Sequence, residues 1–145
     1  LETPQGVIYA VTSGQRAEAI LWSFDVKTEK ITTIGPAAAA SQNYITSIDA
    51  DPTGRYLYYV PGAHGGAEKD NSAVIQYDLK TNKKKVIAFL NPLCKDKYGF
   101  TPIGTFGSDV SPEGDKLYVT WHGGRSARWD TCAMTVIHIP ASERP

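Results

Sequence analysis

Short runs rich in apolar Val, Ile and Tyr and in Thr, closed by the turn residues Gly, Pro, Asn or Asp, follow one another along the whole chain. Runs of this kind bounded by turn residues predict strands. They fall at Val7–Thr12, Ile20–Val26, Lys30–Ile34, Ile45–Ala50, Tyr56–Val60, Ala73–Leu79, Lys85–Leu90, Phe106–Val110, Lys116–Trp121 and Ala133–Ile139. No segment sustains an apolar period of 3.6, and the four alanines at 37–40 are too few to hold a helix alone. The connections are of two kinds. Asp51-Pro52-Thr53-Gly54, Ser111-Pro112-Glu113-Gly114, Lys27-Thr28-Glu29 and Lys80-Thr81-Asn82 predict tight turns, because Pro presets the backbone angle at the second position and Gly tolerates the closing one. The segments 13–19, 35–44, 61–72, 91–105 and 122–131 are long connections.

The strands also repeat. Ile48-Asp49-Ala50-Asp51-Pro52-Thr53-Gly54-Arg55-Tyr56-Leu57-Tyr58-Tyr59-Val60 returns as Ser108-Asp109-Val110-Ser111-Pro112-Glu113-Gly114-Asp115-Lys116-Leu117-Tyr118-Val119-Thr120. Likewise Leu21-Trp22-Ser23-Phe24-Asp25-Val26-Lys27-Thr28 matches Ile75-Gln76-Tyr77-Asp78-Leu79-Lys80-Thr81 and, more loosely, Val136-Ile137-His138-Ile139-Pro140. A long fixed period means one supersecondary unit used several times. With the strands of a unit labelled A to D, the tight turns join A to B and C to D, and the long segments join B to C and D to A.

Four-stranded antiparallel units with Ser/Asp-Pro-x-Gly-x-x-Leu-Tyr between A and B, and x-Tyr-Asp-Leu-x-Thr in strand C, resemble the blades of bacterial WD40-like β-propellers of the TolB or YVTN (lactonase-like) type. The resemblance implies an all-β propeller domain over residues 1–145, with blade boundaries near 35–44 and 91–105. The order reads B-C-D, A-B-C-D, A-B-C, about two and a half blades, where closed rings need roughly four to eight. The expectation is a C-terminal piece of a longer propeller. Its partners are then the remaining blades, from the same precursor or from other copies, because an uncovered blade face and sheet edge cost solubility. The eukaryotic Gly-His…Trp-Asp signature is absent, and Trp129-Asp130 falls in a loop rather than at the end of a strand C.

Charge narrows the partners. Fifteen basic and fifteen acidic residues balance, which leaves no electrostatic footprint for nucleic acid. Lys83-Lys84-Lys85 between two strand patterns reads as a solvated hairpin rather than a phosphate site. No run of apolar residues reaches the length of a membrane helix. Cys94 and Cys132 lack Cys-x-x-Cys spacing, so they are either a disulfide pair or two bystanders. A bridge would imply an oxidising compartment, and with the resemblance it points to a periplasmic or extracellular location.

Candidate chemistry collects on the long connections, which in a propeller emerge on one face. Arg16, Glu18, Gln42, Asn43, Tyr44, Asp70, Lys95, Lys97 and Tyr98 belong there. His64-Gly65-Gly66 and His122-Gly123-Gly124 each follow a strand B, in comparable positions one blade apart. They read either as copied loop openings or as candidates for a divalent metal with Glu68 or Asp70, or for acid–base work. Arg125-Ser126-Ala127-Arg128-Trp129-Asp130 joins two guanidiniums to an indole and suits an acidic sugar or a peptide carboxylate. Its bland counterpart is Trp129 packing over the blade with Asp130 neutralising Arg128. Asp49 and Asp109 in the innermost strands read as acceptors for amides of the next turn or as a channel cation site; Asp25 and Asp78 read as turn caps, and His138 as exposed.

No Gly-x-Ser-x-Gly, Walker loop, His-Glu-x-x-His or dinucleotide fingerprint occurs. Two functions stay open, with no cofactor required by the first. One is a module that binds a small carbohydrate, a peptide or a protein partner through Tyr98, His64, His122, Arg125, Arg128, Trp129 and Asp130. The other, which the resemblance implies, is a lyase or lactonase-like hydrolase acting on a carbohydrate or acidic sugar, with His64, His122 and Arg125 catalytic. A purely structural module that orients neighbouring domains is a third reading.

Overall fold

The computed structural model describes residues 2–12, 18–39 and 41–145. Its strands are β1 (Val7–Val11), β2 (Ile20–Asp25), β3 (Lys30–Pro36), β4 (Ile48–Ala50), β5 (Tyr56–Tyr59), β6 (Ala73–Asp78), β7 (Lys83–Phe89), β8 (Thr101–Val110), β9 (Lys116–Gly124) and β10 (Thr131–His138). They form three antiparallel sheets in the orders β1-β2-β3, β4-β5-β6-β7 and β10-β9-β8. Each expected strand is present, and one sheet gives way to the next between β3 and β4 and between β7 and β8.

Turn chemistry holds the hairpins as the repeat predicts. The Gly54 amide donates to the Asp51 carbonyl and the Gly114 amide to the Ser111 carbonyl, with both glycines at positive φ. The first side chain of each motif does more. Asp51, buried, accepts from the amides of Thr53 and Tyr56, and Ser111 Oγ accepts from those of Asp115 and Lys116. Asp25 caps the next hairpin type through the amides of Lys27 and Thr28, and Asp78 through that of Lys80 while Arg55 pairs with its carboxylate at 3.1 Å.

Alternation along the middle sheet feeds two cores. Leu57, Tyr59, Ile75 and Tyr77 face β1-β2-β3 and pack with Leu21, Ala37 and Ile45; Tyr58 and Val74 face the third sheet and pack with Leu117, Val119 and Trp121. Burial pushes the Tyr58 hydroxyl up to about 12, although Gln76 donates to it. The Trp121 indole N–H finds Thr135 Oγ1 at 2.8 Å, as a buried indole requires. The two end sheets turn their other faces outward: Ile31 is 66% exposed beside Phe24, and Met134 is 63% exposed. No helix among the described residues is long and apolar enough to cross a membrane.

Three departures from the sequence reading matter. The end of an expected strand, Leu90, and the first residues of the expected 91–105 loop form helix α1 (Leu90–Tyr98), which buries Leu90 and Cys94 one turn apart and ends on Gly99 in a left-handed cap. Strand β8 starts five residues early, and β9 and β10 lengthen so that Gly124 pairs with Thr101 and Gly123 with Thr131, shrinking the expected 122–131 loop to 125–130. Strand β4, in turn, begins at Ile48, with Ile45 buried in the loop before it.

Candidate functional site

Long connections meet at one end of the middle and third sheets. The Gly62 and Ala63 amides donate to the Tyr44 carbonyl at 2.8 and 2.9 Å, and Asp70 accepts from Ser41 Oγ and the Gln42 amide. From the third sheet, Arg128 reaches across to Glu68 at 2.7 Å and to the Gly65 carbonyl at 2.9 Å. The Trp129 ring lies over Gly65 so closely that a Cβ there would stand 2.7 Å from Cζ2.

Five rings run through this meeting point. Tyr44 meets His64 at 4.9 Å between centroids, His64 meets Phe106 at 4.5 Å, Phe106 meets His122 at 4.5 Å, and His122 meets Trp129 at 5.8 Å, all edge to face. That geometry suits the positive edge and negative face of aromatic rings. Local backbone distortions build the row. The register of β8 against β9 shifts between Thr105 and Gly107, so the intervening Phe106 is the bulge residue, and a bulge re-aims its side chain out of the sheet alternation. His64 and Trp129 hold φ of 57° and 68°, a left-handed backbone that costs a bulky residue about 1–2 kcal/mol. Phe106 is 43% and Trp129 44% exposed.

The 125–130 loop is wound around one carboxylate. Asp130 accepts from the amides of Arg125, Ser126 and Ala127 and from the hydroxyls of Ser126 and Thr131, which hold it well below the usual carboxylate range. Asp130 therefore does not neutralise Arg128; Glu68 does. Arg128 also stands 5.3 Å over the Trp129 ring. No hydrogen bond or ion pair is made by the Arg125 side chain among the described residues, and it lines an open cleft of about 320 Å³ with Glu68, Ile103 and Arg128.

The remaining candidates separate. The two His-Gly-Gly triplets are not conformational equivalents, since His64 lies in a turn after β5 and His122 within β9, and the Phe106 ring stands between their imidazoles. Among the described residues, no group of three His, Cys, Asp or Glu side chains is placed to hold a metal ion. On α1 the Lys97 ammonium stands 5.3 Å over the Tyr98 ring, and Tyr98 lines an apolar groove with Arg125 and Met134. Cys94, buried, and Cys132, exposed, carry free thiols, so the bridge that the sequence allowed is not made. Arg16 lies outside the described residues. The innermost acids differ from expectation as well: Asp49 accepts from Ser108 Oγ of the neighbouring sheet rather than from turn amides, and the capping role falls to Asp51. Burial raises the Asp49 carboxyl to about 6.

No protein-family model and no curated protein matches the chain. Solved structures do. A chain of the nidogen/laminin complex superposes with a TM-score of 0.66 at 12% identity, over 95% of this chain and 42% of that one. TolB from Acinetobacter baumannii gives 0.56 at 12% identity, over 94% and 31%, and the Malassezia sympodialis allergen Mala s 1 gives 0.55 at 13%, over 99% and 49%. The sheets are blades of a β-propeller. At these identities the likeness speaks for the fold alone. The chain spans less than half the length of each of these structures.

Phe106 is the residue that sequence reasoning missed. A lone Phe inside a strand run reads as an ordinary core position, and only the two glycines that flank Thr105-Phe106 hint at the irregular backbone that frees it.

Proposed function

We propose that these blades form a binding module whose long-loop face recognises a carboxylate-bearing ligand with a flat C–H face, of which a uronic-acid sugar is the simplest. The observation that carries this reading is the ring row. Its central and terminal members, Phe106 and Trp129, stay open to solvent although a bulge and a left-handed backbone are spent on placing them. Strain and bulges held in place by their surroundings concentrate at recognition sites. Arg125, with no internal partner, supplies the cation for the carboxylate, while Arg128 fixes the loop through Glu68. A stacking contact contributes about 0.5–1.5 kcal/mol and a charge-assisted hydrogen bond about 1.5–3 kcal/mol.

The test is a tryptophan-fluorescence titration with an oligo-uronate and a neutral oligosaccharide of equal length. Phe106→Ala is expected to weaken oligo-uronate binding about 5-fold or more, and Arg125→Ala to weaken it about 10-fold while leaving the neutral sugar unchanged. Equal binding of both sugars, untouched by either substitution, would refute the proposal.

A further inference from the structure

The middle, four-stranded sheet carries a cavity of about 270 Å³ of its own. Its walls come from that sheet and its internal connections, except for Ala39, which closes one side from the connection that enters the sheet. A bulge makes the floor. Residues 86 and 89 are three positions apart and would take opposite faces of a regular strand. The register of β7 on β6 shifts instead, so that Val86 stands opposite Ile75 and Phe89 opposite Ala73, with Ile87 the extra residue, and both side chains come to one face. Val86 and Phe89, 37% and 55% exposed, line the cavity with buried Pro61, Ala73 and Ile75.

Hydrogen bonds hold this cavity open in one shape. The segment that brings Ala39 is pinned to the middle sheet, where the buried Tyr59 hydroxyl donates to the Ala37 carbonyl at 2.6 Å and the Lys84 ammonium donates to the carbonyls of Pro36 and Ala38. At the mouth, Asn71 and Ser72 hold φ of 58° and 53°, a left-handed pair fixed by Ser72 Oγ on the Pro102 carbonyl and by the Asn91 amide on the Asn71 carbonyl. The charged groups here divide into committed and free. Both carboxylate oxygens of Asp70 accept, from Ser41 Oγ and the Gln42 amide, and Lys84 is held by its two carbonyls. Among the described residues, the Lys69 ammonium and the Asn71 carboxamide make no hydrogen bond or ion pair, and both residues line the cavity.

We propose that this cavity binds a small carboxylic acid with an apolar body. The body covers Val86 and Phe89 on the floor, the Lys69 ammonium pairs with the carboxylate, and the Asn71 carboxamide is its second donor. A preformed apolar hollow with a few polar groups at its rim takes a small molecule, and the polar groups fix which way round it lies. Here the uncommitted charge is positive, so the head group is an anion. A cationic head would meet Asp70 with both oxygens already occupied. The site shares no residue with the ring row and does not depend on it.

The probe is hydrocinnamate, titrated into isotope-labelled protein and followed by backbone amide NMR, beside its neutral amide and beside acetate. Expected results are saturable shifts at Lys69, Asn71, Ala73, Val86 and Phe89, binding about 5-fold weaker for the neutral amide, and no saturation by acetate over the same range. Lys69→Gln, at an exposed position, is expected to bind the acid and the amide equally. Val86→Glu, accepted as native when the resonances of the third sheet are unchanged, is expected to bind neither. Absence of saturable shifts at these amides, equal affinity of the parent for acid and amide, or a preference for the acid that survives in Lys69→Gln would overturn the proposal, and the last two need no variant in the floor.

Discussion

Asp49 gives the most quantitative handle on the contact between the innermost strands. Its carboxyl sits between β4 and β8, where loss of hydration raises it from 3.8 to about 6; the hydroxyls of Ser108 and Ser47 work against that rise, and the charge of Asp109 adds to it. In the window from about pH 4 to 6, the unfolded chain has released this proton while the folded chain keeps it. The unfolded state then binds fewer protons, so stability falls as pH rises through the window and levels off above about 6. The interval corresponds to about 3 kcal/mol at full effect, and the partial opening of the site to water reduces this to roughly 1.5 kcal/mol. Asp49→Asn keeps an acceptor for Ser108 and never ionises. Urea unfolding of both proteins from pH 4 to 8 is expected to show the variant gaining about 1.5 kcal/mol on the parent between the two ends, while the effects of other titrating groups cancel in the difference. A stability difference that stays constant with pH would refute the assignment of the raised carboxyl to Asp49.

Three further outcomes follow from the packing and the loops. Gly65→Ala places a methyl 2.7 Å from the Trp129 ring at a φ of +100°, so thermal unfolding is expected to show a loss of about 1–3 kcal/mol and a changed Trp129 emission. Asp130→Ala removes the acceptor that winds 125–130, and limited trypsin digestion is expected to cut after Arg125 and Arg128 in the variant well before it cuts the parent. Leu117→Ala, in the core between the middle and third blades, is expected to cost about 2–5 kcal/mol in urea unfolding, whereas the exposed Ile31→Ala costs well under 1 kcal/mol.

Strands and hairpins were legible in the sequence because each rests on local chemistry. Asp51 and Ser111 head their turns, Gly54 and Gly114 close them, and the alternation through β5 and β6 sorts side chains between two cores without help from distant residues. The helix was hidden for a physical reason: with only Leu90 and Cys94 buried, α1 has almost no apolar stripe to reveal a period, and it is held by contact with β8 and by the Gly99 cap. The site was half legible. The sequence singled out His64, His122, Arg125, Arg128 and Trp129, and the structure brings His64, His122, Arg128 and Trp129 to one place. It also divides their roles, because Arg128 is committed to Glu68 and Asp130 to backbone amides, contacts that join residues up to sixty positions apart. The ring that unites the two histidines, Phe106, depends on a bulge in β8, which is decided by pairing with β9 rather than by the residues around it.

The central claim is that the ring row is the recognition surface, and histidine and aromatic side-chain NMR during titration with an oligo-uronate tests it most directly. The account predicts that the resonances of Tyr44, His64, Phe106, His122 and Trp129 move together with one saturating curve, while those of Tyr56 and Tyr77, in the blade body, stay still. Saturation that leaves the five rings unmoved, or shifts confined to the hairpin end of the blades, would contradict it.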